Sequence, residues 1–256
     1  MALSQKALDE LLDNVAPLGD TDPYVKAVIY GPHGVGKSTL AATAPGNILW
    51  ADSGENGWVS LKNHPDLLAK VKQRVPIKHR QYLQTLGEAL LEGRFPIEID
   101  TVVLDTSTDM VQADLRKVAA VNVARSGGKR TDPHDTEWDD YKITANRMRE
   151  TFALFRDAPI NVVWVGQEKS YEDKGTGIHV LRVEAPAAIG TFYGQMAHLI
   201  GRLTATGPVN DIKRELQIQP TATVDAKSRI GGLPAKIVNP NLTEIFAKWS
   251  ESNGSA

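Results

Sequence analysis

Short apolar runs recur along the chain, and stretches with helical periodicity separate them. Four of these runs, residues 25–30, 47–51, 101–104 and 160–165, consist mainly of apolar side chains and predict strands. Runs without polar alternation are typical of parallel strands that are buried on both faces. The alternation of strands and helices therefore predicts an α/β fold with a mainly parallel central sheet flanked by helices.

The longest helical pattern precedes the fourth predicted strand. Its apolar residues recur every three or four positions, which predicts a stripe that packs against the sheet. These residues are Trp138, Tyr141, Ala145, Met148, Phe152 and Phe155. Thr136 and Asp139 form a candidate capping pair before the helix, and Pro159 ends it. We expect the aromatic side chains to lie in the core rather than to stack on bases.

The pattern changes after about residue 196, where three short strand-like segments follow one another: AHLIGRLTATG, ELQIQ and ATVDAK. Their short connections predict antiparallel strands added at the C-terminal edge of the sheet. A last helix is predicted for residues 242–249.

The first 22 residues are too few for a domain, and Leu8, Leu11 and Leu12 predict a short amphipathic helix within them. The sequence therefore predicts three parts. They are an N-terminal helix and loop extension (1–22), one core domain (23–249) and a disordered tail (250–256).

A glycine-rich turn joins the first strand to the helix that follows it. The turn reads GPHGVGKST, fits G-x-x-x-x-G-K-[ST], and predicts a loop that binds nucleotide phosphates. Its glycines let backbone N–H groups approach phosphate oxygens, and the start of the helix adds its positive dipole end. The predicted nucleotide-binding residues are Gly31, Pro32, His33, Gly34, Val35, Gly36, Lys37, Ser38 and Thr39.

Three side chains at or near this loop suit the binding of ATP and Mg²⁺. Lys37 supplies a cation for the β- and γ-phosphates, and the Ser38 hydroxyl is a candidate Mg²⁺ ligand. Asp105, at the end of the third strand, is the candidate carboxylate of the Mg²⁺ shell. The next residue is Thr106 rather than Glu. The position that carries the catalytic base in AAA+ machines and many helicases therefore cannot do so here.

The neighbouring strand ends supply other catalytic candidates. The segment ADSGE places Asp52 and Glu55 just after the second strand, where a carboxylate can reach the γ-phosphate through one water. We predict Glu55 as the general base and keep Asp52 as the alternative. Gln167 follows the fourth strand, where its amide can hydrogen-bond a γ-phosphate and report its loss to the next loop. A solvated acid and a strand-capping amide are the structural alternatives.

Composition narrows the class of protein. The chain has 256 residues, a formal net charge of −2 and no cysteine. This length suits one large α/β domain, and the cysteine count excludes disulfides, zinc–thiolate sites and a cysteine nucleophile. No apolar run reaches the roughly 18 residues of a membrane span, and no signal-peptide pattern begins the chain. We therefore expect a cytoplasmic protein without a membrane partner.

The chain lacks the excess of positive charge that is typical of nucleic-acid-binding proteins, so any DNA binding must depend on a local group of basic residues. Two polar loops, residues 124–135 and 168–177, are predicted at the same end of the sheet as the phosphate loop. The predicted DNA-binding residues are Arg125, Lys129, Arg130, Lys169 and Lys174. A further basic cluster, between residues 70 and 80, is interpreted as solvated surface.

These motifs together resemble the RecA/Rad51 family of recombinase ATPases. ADSGE resembles the acidic motif that carries the family's catalytic Glu, and the lone Asp105 resembles the end of the family's third strand. Gly166-Gln167 resembles the polar pair that heads the second DNA-binding loop. Arg202 lies where the family has an arginine near a strand end.

The segment DAKSRIGGLP is similar to a family segment with two basic residues one apart, here Lys227 and Arg229. In the family this pair reaches into the nucleotide site of the neighbouring subunit. The resemblance implies that Lys227 and Arg229 act in trans, in a ring or filament with nucleotide at subunit interfaces. Both would point to one face of a strand, and a solvated strand face is the alternative.

The resemblance covers about residues 23–245 and is closest to the minimal phage-encoded RecA-like proteins, either of the single-strand annealing type or phage nucleotide-binding proteins. It implies a Mg²⁺-dependent, DNA-stimulated ATPase that binds single-stranded DNA and promotes annealing or exchange in phage recombination and repair, in the bacterial host cytoplasm. A single-strand DNA-binding protein is a candidate partner. The alternatives are a P-loop ATPase that acts on a protein, such as a helicase loader or packaging accessory, and a small-molecule kinase.

Overall fold

A computed structural model describes residues 23–208 and 211–253, together with Lys6 and Asp9. The strands are β1 Lys26–Gly31, β2 Ile48–Asp52, β3 Val71–Pro76, β4 Thr101–Asp105, β5 Asn161–Glu172, β6 His179–Val183, β7 Leu199–Thr206, β8 Lys213–Gln217, β9 Lys227–Ser228 and β10 Lys236–Val238. The helices are α1 Lys37–Ala41, α2 Pro65–Lys70, α3 Arg80–Leu91, α4 Ser107–Arg125, α5 Trp138–Asp157, α6 Ala187–Met196 and α7 Leu242–Asn253. A 3₁₀ segment spans Gly57–Asn63.

The parallel part of the sheet has the strand order β3–β2–β4–β5–β1–β7. β1 is buried along its whole length because it lies between β5 and β7. One core layer packs around Trp164 and Phe152, and the layer on the other face contains Trp50 and Phe246. Since apolar layers cover both faces, the strands need the continuous apolar runs that the sequence shows.

Antiparallel strands complete the C-terminal edge of the sheet. β8 pairs with β7, and β10 pairs with β8. β7 itself is parallel to β1, with Ala27 opposite Leu199, so the antiparallel part begins one strand later than expected. Of the segment ATVDAK, only its last residue, Lys227, belongs to a strand, the two-residue β9, which pairs with the start of β7. The predicted architecture, a mainly parallel sheet with antiparallel strands at this edge, is confirmed.

The predicted loop 168–177 is largely a β-hairpin. β5 continues to Glu172, although its parallel partner β4 ends opposite Val165. The extra residues of β5 pair antiparallel with β6, from Glu168 opposite Val183 to Glu172 opposite His179. The polar side chains of residues 168–177, which suggested a loop, therefore belong to a two-stranded ribbon that extends past the carboxyl edge of the sheet.

The antiparallel helices α4 and α5 also extend beyond this edge. Asn122, near the end of α4, donates to Asp140, near the start of α5, at 2.7 Å. Arg80 begins α3 just after β3 and donates to Thr151 of α5 at 3.2 Å, which places Thr151 close to the sheet edge. Trp138 lies thirteen residues earlier on α5, roughly 20 Å further along the helix axis. We call residues 125–138 the helical tip.

Only the second half of the predicted α5 stripe is in the core. Its buried members are Ala145, Met148, Phe152 and Phe155. Trp138 is 73% exposed and Tyr141 is 41% exposed, because the first turns of α5 lie beyond the sheet. The prediction that these two aromatic side chains lie in the core is wrong.

The start of α5 is capped differently from the prediction. Glu137 and Asp140, rather than Thr136 and Asp139, form the reciprocal capping box. The Arg130 guanidinium donates to both oxygens of Asp140, at 2.8 and 3.2 Å, and lies 3.1 Å from Glu137. Its hydrogen bonds hold the pKa of Asp140 at about 2. Arg130 therefore ties the helical tip to α5.

The sequence pattern did not predict β3, an edge strand whose side chains are mostly exposed. The neighbouring basic residues have partners within the chain. Lys70 donates to the Thr43 carbonyl at 3.3 Å, and Arg74 lies 3.7 Å from Asp52. These contacts engage two of the basic residues within the chain, and the interpretation of the cluster at residues 70–80 as solvated surface stays a prediction.

Both ends of the core domain can be compared with the prediction. α7 continues to Asn253, so residues 250–253 of the predicted tail are helical. The predicted N-terminal helix with Leu8, Leu11 and Leu12 falls outside the described residues; Lys6 and Asp9 are themselves helical. Within the described ranges, no helix is long and apolar enough to cross a membrane.

Candidate nucleotide-binding site

The phosphate loop lies at the carboxyl end of β1 and leads directly into α1. Gly34 and Gly36 have φ values of 75° and 97°, a backbone conformation that favours glycine. A Cβ on Gly36 would also lie only 2.6 Å from Nε of Arg214. The loop therefore has the strand–loop–helix context and the glycine conformations that the sequence motif requires.

The Lys37 side chain is held by hydrogen bonds to the phosphate loop and to Gln167. Its Nζ donates to the carbonyls of Gly31 and Pro32 at 2.9 and 2.7 Å, and to Oε1 of Gln167 at 2.9 Å. Burial lowers the pKa of Lys37, and the charges of Asp105 and Glu55 oppose that shift. Because a phosphate oxygen binds an ammonium more strongly than a neutral oxygen does, a nucleotide can take over these hydrogen bonds.

Ser38 and Asp105 meet beside Lys37. The Ser38 hydroxyl donates to Oδ2 of Asp105 at 2.9 Å, and Oδ1 of Asp105 is buried without a partner among the described residues. Burial raises the pKa of Asp105 to about 6, although the Ser38 hydrogen bond lowers it. A hydroxyl and a carboxylate with an unsatisfied oxygen suit a hard cation, so this pair fits Mg²⁺.

The two carboxylates of the ADSGE segment have different environments. Asp52 is 2% exposed, and its Oδ1 accepts from the backbone N–H groups of Gly54 and Asn56 at 3.0 and 3.3 Å. Arg74 lies 3.7 Å from the other oxygen of Asp52. Asp52 therefore shapes the turn, whereas Glu55 lines the cavity beside the phosphate loop.

Glu55 is held next to the γ-phosphate end of the loop. Its carboxylate oxygens lie 3.4 and 3.5 Å from Nε2 of Gln167, whose Oε1 binds Lys37. Burial raises the pKa of Glu55 to about 7, and Asp109 adds to this shift through a hydrogen bond and its charge. A carboxyl group with this pKa can accept a proton from water near neutral pH.

These side chains open into one cavity of about 400 Å³, called here the phosphate cavity. It brings together the predicted residues Lys37, Ser38, Glu55, Asp105 and Gln167. Several lining residues were not predicted as site residues, and Gly57 and Arg214 are two of them. Nε of Arg214 donates to the Val35 carbonyl at 3.0 Å across a sequence separation of 179 residues, so no local motif could reveal the contact.

Gly57→Ala is expected to weaken Mg²⁺-dependent ATP binding by about 10–100-fold, the usual effect of disturbing groups around a metal site. The added methyl group would clash with Oδ2 of Asp105 and lie 2.6 Å from the Ser38 hydroxyl. Calorimetric titration of ATP in the presence and absence of Mg²⁺ measures the effect.

Gly231→Ala is the matched control for Gly57→Ala, because a Cβ on Gly231 meets no atom within 4 Å. The control should bind Mg²⁺ and ATP like the unchanged protein. Equal affinities in all three proteins would contradict the placement of Mg²⁺ between Ser38 and Asp105.

Lys227 and Arg229 lie away from the phosphate loop of their own chain. Lys227 pairs with Ile200 near the amino end of β7, and Ile200 lies opposite Val28, three residues or about 10 Å by strand rise before the loop begins at Gly31. Lys227 Nζ donates to the Gly194 carbonyl at 2.6 Å, and Arg229 donates to Gln195 at 3.0 Å. Both therefore satisfy carbonyls at the end of α6, and their predicted action in trans stays a prediction.

The predicted DNA-binding cations differ in their surroundings. Arg125 and Lys129 are exposed at the helical tip, and Lys174 is exposed in the turn of the β5–β6 hairpin. Lys169 lies 3.5 Å from Glu184 but remains 57% exposed. The Arg130 guanidinium is engaged by the acidic cap of α5, and its predicted contact with DNA stays a prediction.

The fold and the site define a P-loop NTPase: a mainly parallel sheet carries the phosphate loop at the end of a central strand, and a carboxylate from another strand of the sheet faces the loop serine. A family profile described as an AAA domain, AAA_24, matches residues 24–230, and the chain belongs to this family. The predicted P-loop NTPase class is confirmed, whereas the likeness to RecA/Rad51 recombinases and to phage annealing proteins stays a prediction.

Other comparisons are less informative. No curated protein matches the chain. Among solved structures, the chain is similar to the flagellar accessory protein FlaH from Methanocaldococcus jannaschii, with 15% identity and a TM-score of 0.45 over 94% of this chain and 95% of that one.

Proposed function

We propose that this protein is a Mg²⁺-dependent ATPase of the RecA-like class that acts with single-stranded DNA in recombination or strand annealing. The observation that supports hydrolysis best is the hydrogen-bonded series Lys37, Gln167 and Glu55 in the phosphate cavity. It joins the group that binds the γ-phosphate to a carboxylate that can activate water. This arrangement suits cleavage as well as binding of a nucleotide.

Each residue has a distinct role in the proposed reaction. Lys37 leaves its loop carbonyls to bind the β- and γ-phosphates, and Glu55 accepts a proton from the attacking water. Gln167 orients Glu55 through one hydrogen of Nε2 and donates the other to the γ-phosphate after Lys37 has left Oε1. Ser38 and Asp105 would hold Mg²⁺, which neutralises phosphate charge when bound.

The site is proposed to be completed by a second copy of the chain. Arg214 lines the part of the phosphate cavity next to Gly36, away from Glu55. Among the described lining residues, the only Lys or Arg beside Glu55 and Gln167 is Lys37. Lys227 and Arg229 lie near the amino ends of the strands, the end opposite the cavity. A head-to-tail ring or filament would bring one subunit's amino end to the next subunit's cavity.

Single-stranded DNA is the proposed partner because an exposed aromatic side chain lies among exposed cations at the helical tip. Trp138 is 73% exposed, with Lys142 Nζ 5.2 Å from its ring centroid, and Arg125 and Lys129 lie on the adjoining turns. Bases stack on such side chains and phosphates bind the cations. Hence the aromatic residue expected in the core is the one that favours DNA binding. A single-strand DNA-binding protein remains a candidate partner.

Single-stranded DNA is expected to stimulate ATP turnover, and Trp138→Ala is expected to weaken DNA binding by about 1–3 kcal/mol through the loss of one stacked base. Phosphate release with and without an oligonucleotide, together with fluorescence anisotropy of the labelled strand, measures both effects. Raising the salt concentration should weaken binding further.

Tyr82→Ala is the matched control, since Tyr82 is a 49% exposed aromatic residue on α3. This variant should bind DNA like the unchanged protein. Turnover without DNA stimulation or salt-sensitive binding would overturn the DNA assignment and favour a protein partner, such as a helicase. Absence of turnover under all conditions would overturn the ATPase assignment.

A further inference from the structure

A second cavity of about 200 Å³ adjoins the phosphate cavity. The two share Gly36, Thr39, His64 and Arg214 in their walls. The second cavity is further lined by Leu40, Thr43, Leu203, Asn239 and Pro240. Together the two cavities have the volume of an ordinary ligand site, roughly 300–1,000 Å³.

The second cavity lies where the nucleoside of a bound nucleotide must go. The γ-phosphate end of the phosphate cavity is marked by Glu55, Asp105 and Gln167, and none of these lines the second cavity. The phosphate chain must therefore leave toward Gly36 and Thr39, which line both. The second cavity is the space that continues in that direction.

Arg214 stands at the junction of the two cavities. Its Nε is fixed by the Val35 carbonyl at 3.0 Å, and the part of the chain that the structure describes provides no hydrogen bond to its Nη atoms. A guanidinium held in this way presents two donor groups where the α-phosphate would join the ribose. The side chain thus connects the phosphate loop to the second cavity.

Asn239 forms the polar wall of the second cavity beside the apolar Leu203 and Pro240. Its backbone has φ +48°, a conformation that few residues other than glycine, asparagine and aspartate adopt. The backbone N–H of Asn239 donates to the Arg214 carbonyl at 2.7 Å, and the side-chain Oδ1 of Asn239 accepts from the backbone N–H of Arg214 at 3.3 Å, on the neighbouring strand. The position is therefore rigid, and no hydrogen bond of Nδ2 is observed within the described ranges.

We propose that this cavity is an adenine-nucleoside subsite in which the Asn239 amide selects adenine over guanine. An amide matches adenine because it can accept from the exocyclic N6 group and donate to the adjacent ring nitrogen. Guanine carries the O6 acceptor where adenine carries the N6 donor, so it would face the Oδ1 acceptor of the amide. The Arg214 backbone N–H donates to this Oδ1 at 3.3 Å and keeps the amide from turning over to match guanine. A carboxylate would suit the N1–H and N2 donors of guanine, but none of the residues described along this cavity is acidic. The subsite rests on the proposed nucleotide-binding function and makes Asn239 its specificity-determining residue.

The test compares three ligands of the full chain by calorimetry with Mg²⁺: ATP, GTP and inorganic tripolyphosphate, which has no nucleoside. ATP should bind at least about tenfold more tightly than GTP or tripolyphosphate, the discrimination expected of one well-placed amide. Asn239→Gly keeps the left-handed backbone and removes the amide, so ATP affinity should fall about tenfold while tripolyphosphate affinity is unchanged.

Two further variants make the result decisive. Asn239→Asp keeps the size of the side chain but replaces the amide by an acceptor, so the preference for ATP over GTP should shrink or reverse. Val238→Ala removes a neighbouring side chain that is 59% exposed and should change no affinity. Loss of tripolyphosphate binding by Asn239→Gly would mean that this variant disturbs the phosphate site as well. The ratio of ATP affinity to GTP affinity in Asn239→Asp would then be the test of the subsite.

The possible failures are distinguishable. Equal binding of ATP and tripolyphosphate by the unchanged protein, or an unchanged ATP-to-GTP ratio in both Asn239 variants, would overturn the subsite. Failure of the unchanged protein to bind any of the three ligands would instead overturn the proposed nucleotide-binding function.

Discussion

Glu55→Gln should lower ATP turnover by about 10²–10⁴-fold, the usual contribution of a general base, while ATP binding persists. The substitution keeps a side chain that can still hydrogen-bond Gln167 but cannot accept a proton. Single-turnover hydrolysis and ATP calorimetry on the same preparation separate the two effects. Loss of binding together with loss of turnover would contradict the assignment of Glu55 as a base.

The pH dependence gives a second readout of Glu55. Burial and Asp109 raise the pKa of Glu55 to about 7, so the carboxylate that can act as a base prevails only above that pH. We expect kcat/KM to rise with pH through an apparent pKa near 7, because this quantity reports the unliganded enzyme. Asp109→Asn removes a neighbouring negative charge and should move this limb to lower pH.

Asp52→Asn tests the alternative base under the same conditions. Asparagine retains an oxygen that can accept from Gly54 and Asn56, so the turn should persist, and turnover should stay within a few-fold if Asp52 is structural. The reverse result, with Asp52→Asn inactive and Glu55→Gln active, would move the base to Asp52.

Local sequence signals were sufficient for the parts of the fold that depend on nearby residues. The central strands β1, β2 and β4 could be predicted because their apolar runs are buried on both faces. The phosphate loop could be predicted because glycine conformation and lysine chemistry fix its spacing. The positions of Asp105 and Gln167 beside this loop could be predicted as well, since the carboxyl ends of parallel strands meet at one edge of a sheet.

Features that depend on distant contacts could not be predicted in this way. An amphipathic stripe indicates which face of α5 is apolar, but it does not show where the supporting sheet ends, so Trp138 was placed in the core. Arg214 and Asn239 reach the site from the antiparallel edge, whose short strands carry weak patterns. The role of Gly57 is visible only in the structure, where the absence of a Cβ leaves space for the side chains of Asp105 and Ser38.

Mixing two inactive variants, Glu55→Gln and Arg229→Ala, should restore ATP turnover if the site is shared between subunits. Glu55→Gln subunits retain the cations, and Arg229→Ala subunits retain the base. In a head-to-tail assembly mixed in equal amounts, about one interface in four would combine an intact base with intact cations. Turnover should therefore recover to roughly a quarter of the unchanged protein's rate, with Arg229→Ala still binding ATP as a separate subunit.

A double variant, Glu55→Gln with Arg229→Ala, is the control, because mixing it with either single variant creates no complete interface. The structural alternative is that Arg229 only satisfies the end of α6 through the Gln195 carbonyl. In that case Arg229→Ala would lower the thermal stability, and mixing would restore nothing. Recovery by the two single variants without recovery by the double variant can arise only from a site built by two subunits, since each chain alone lacks one necessary group.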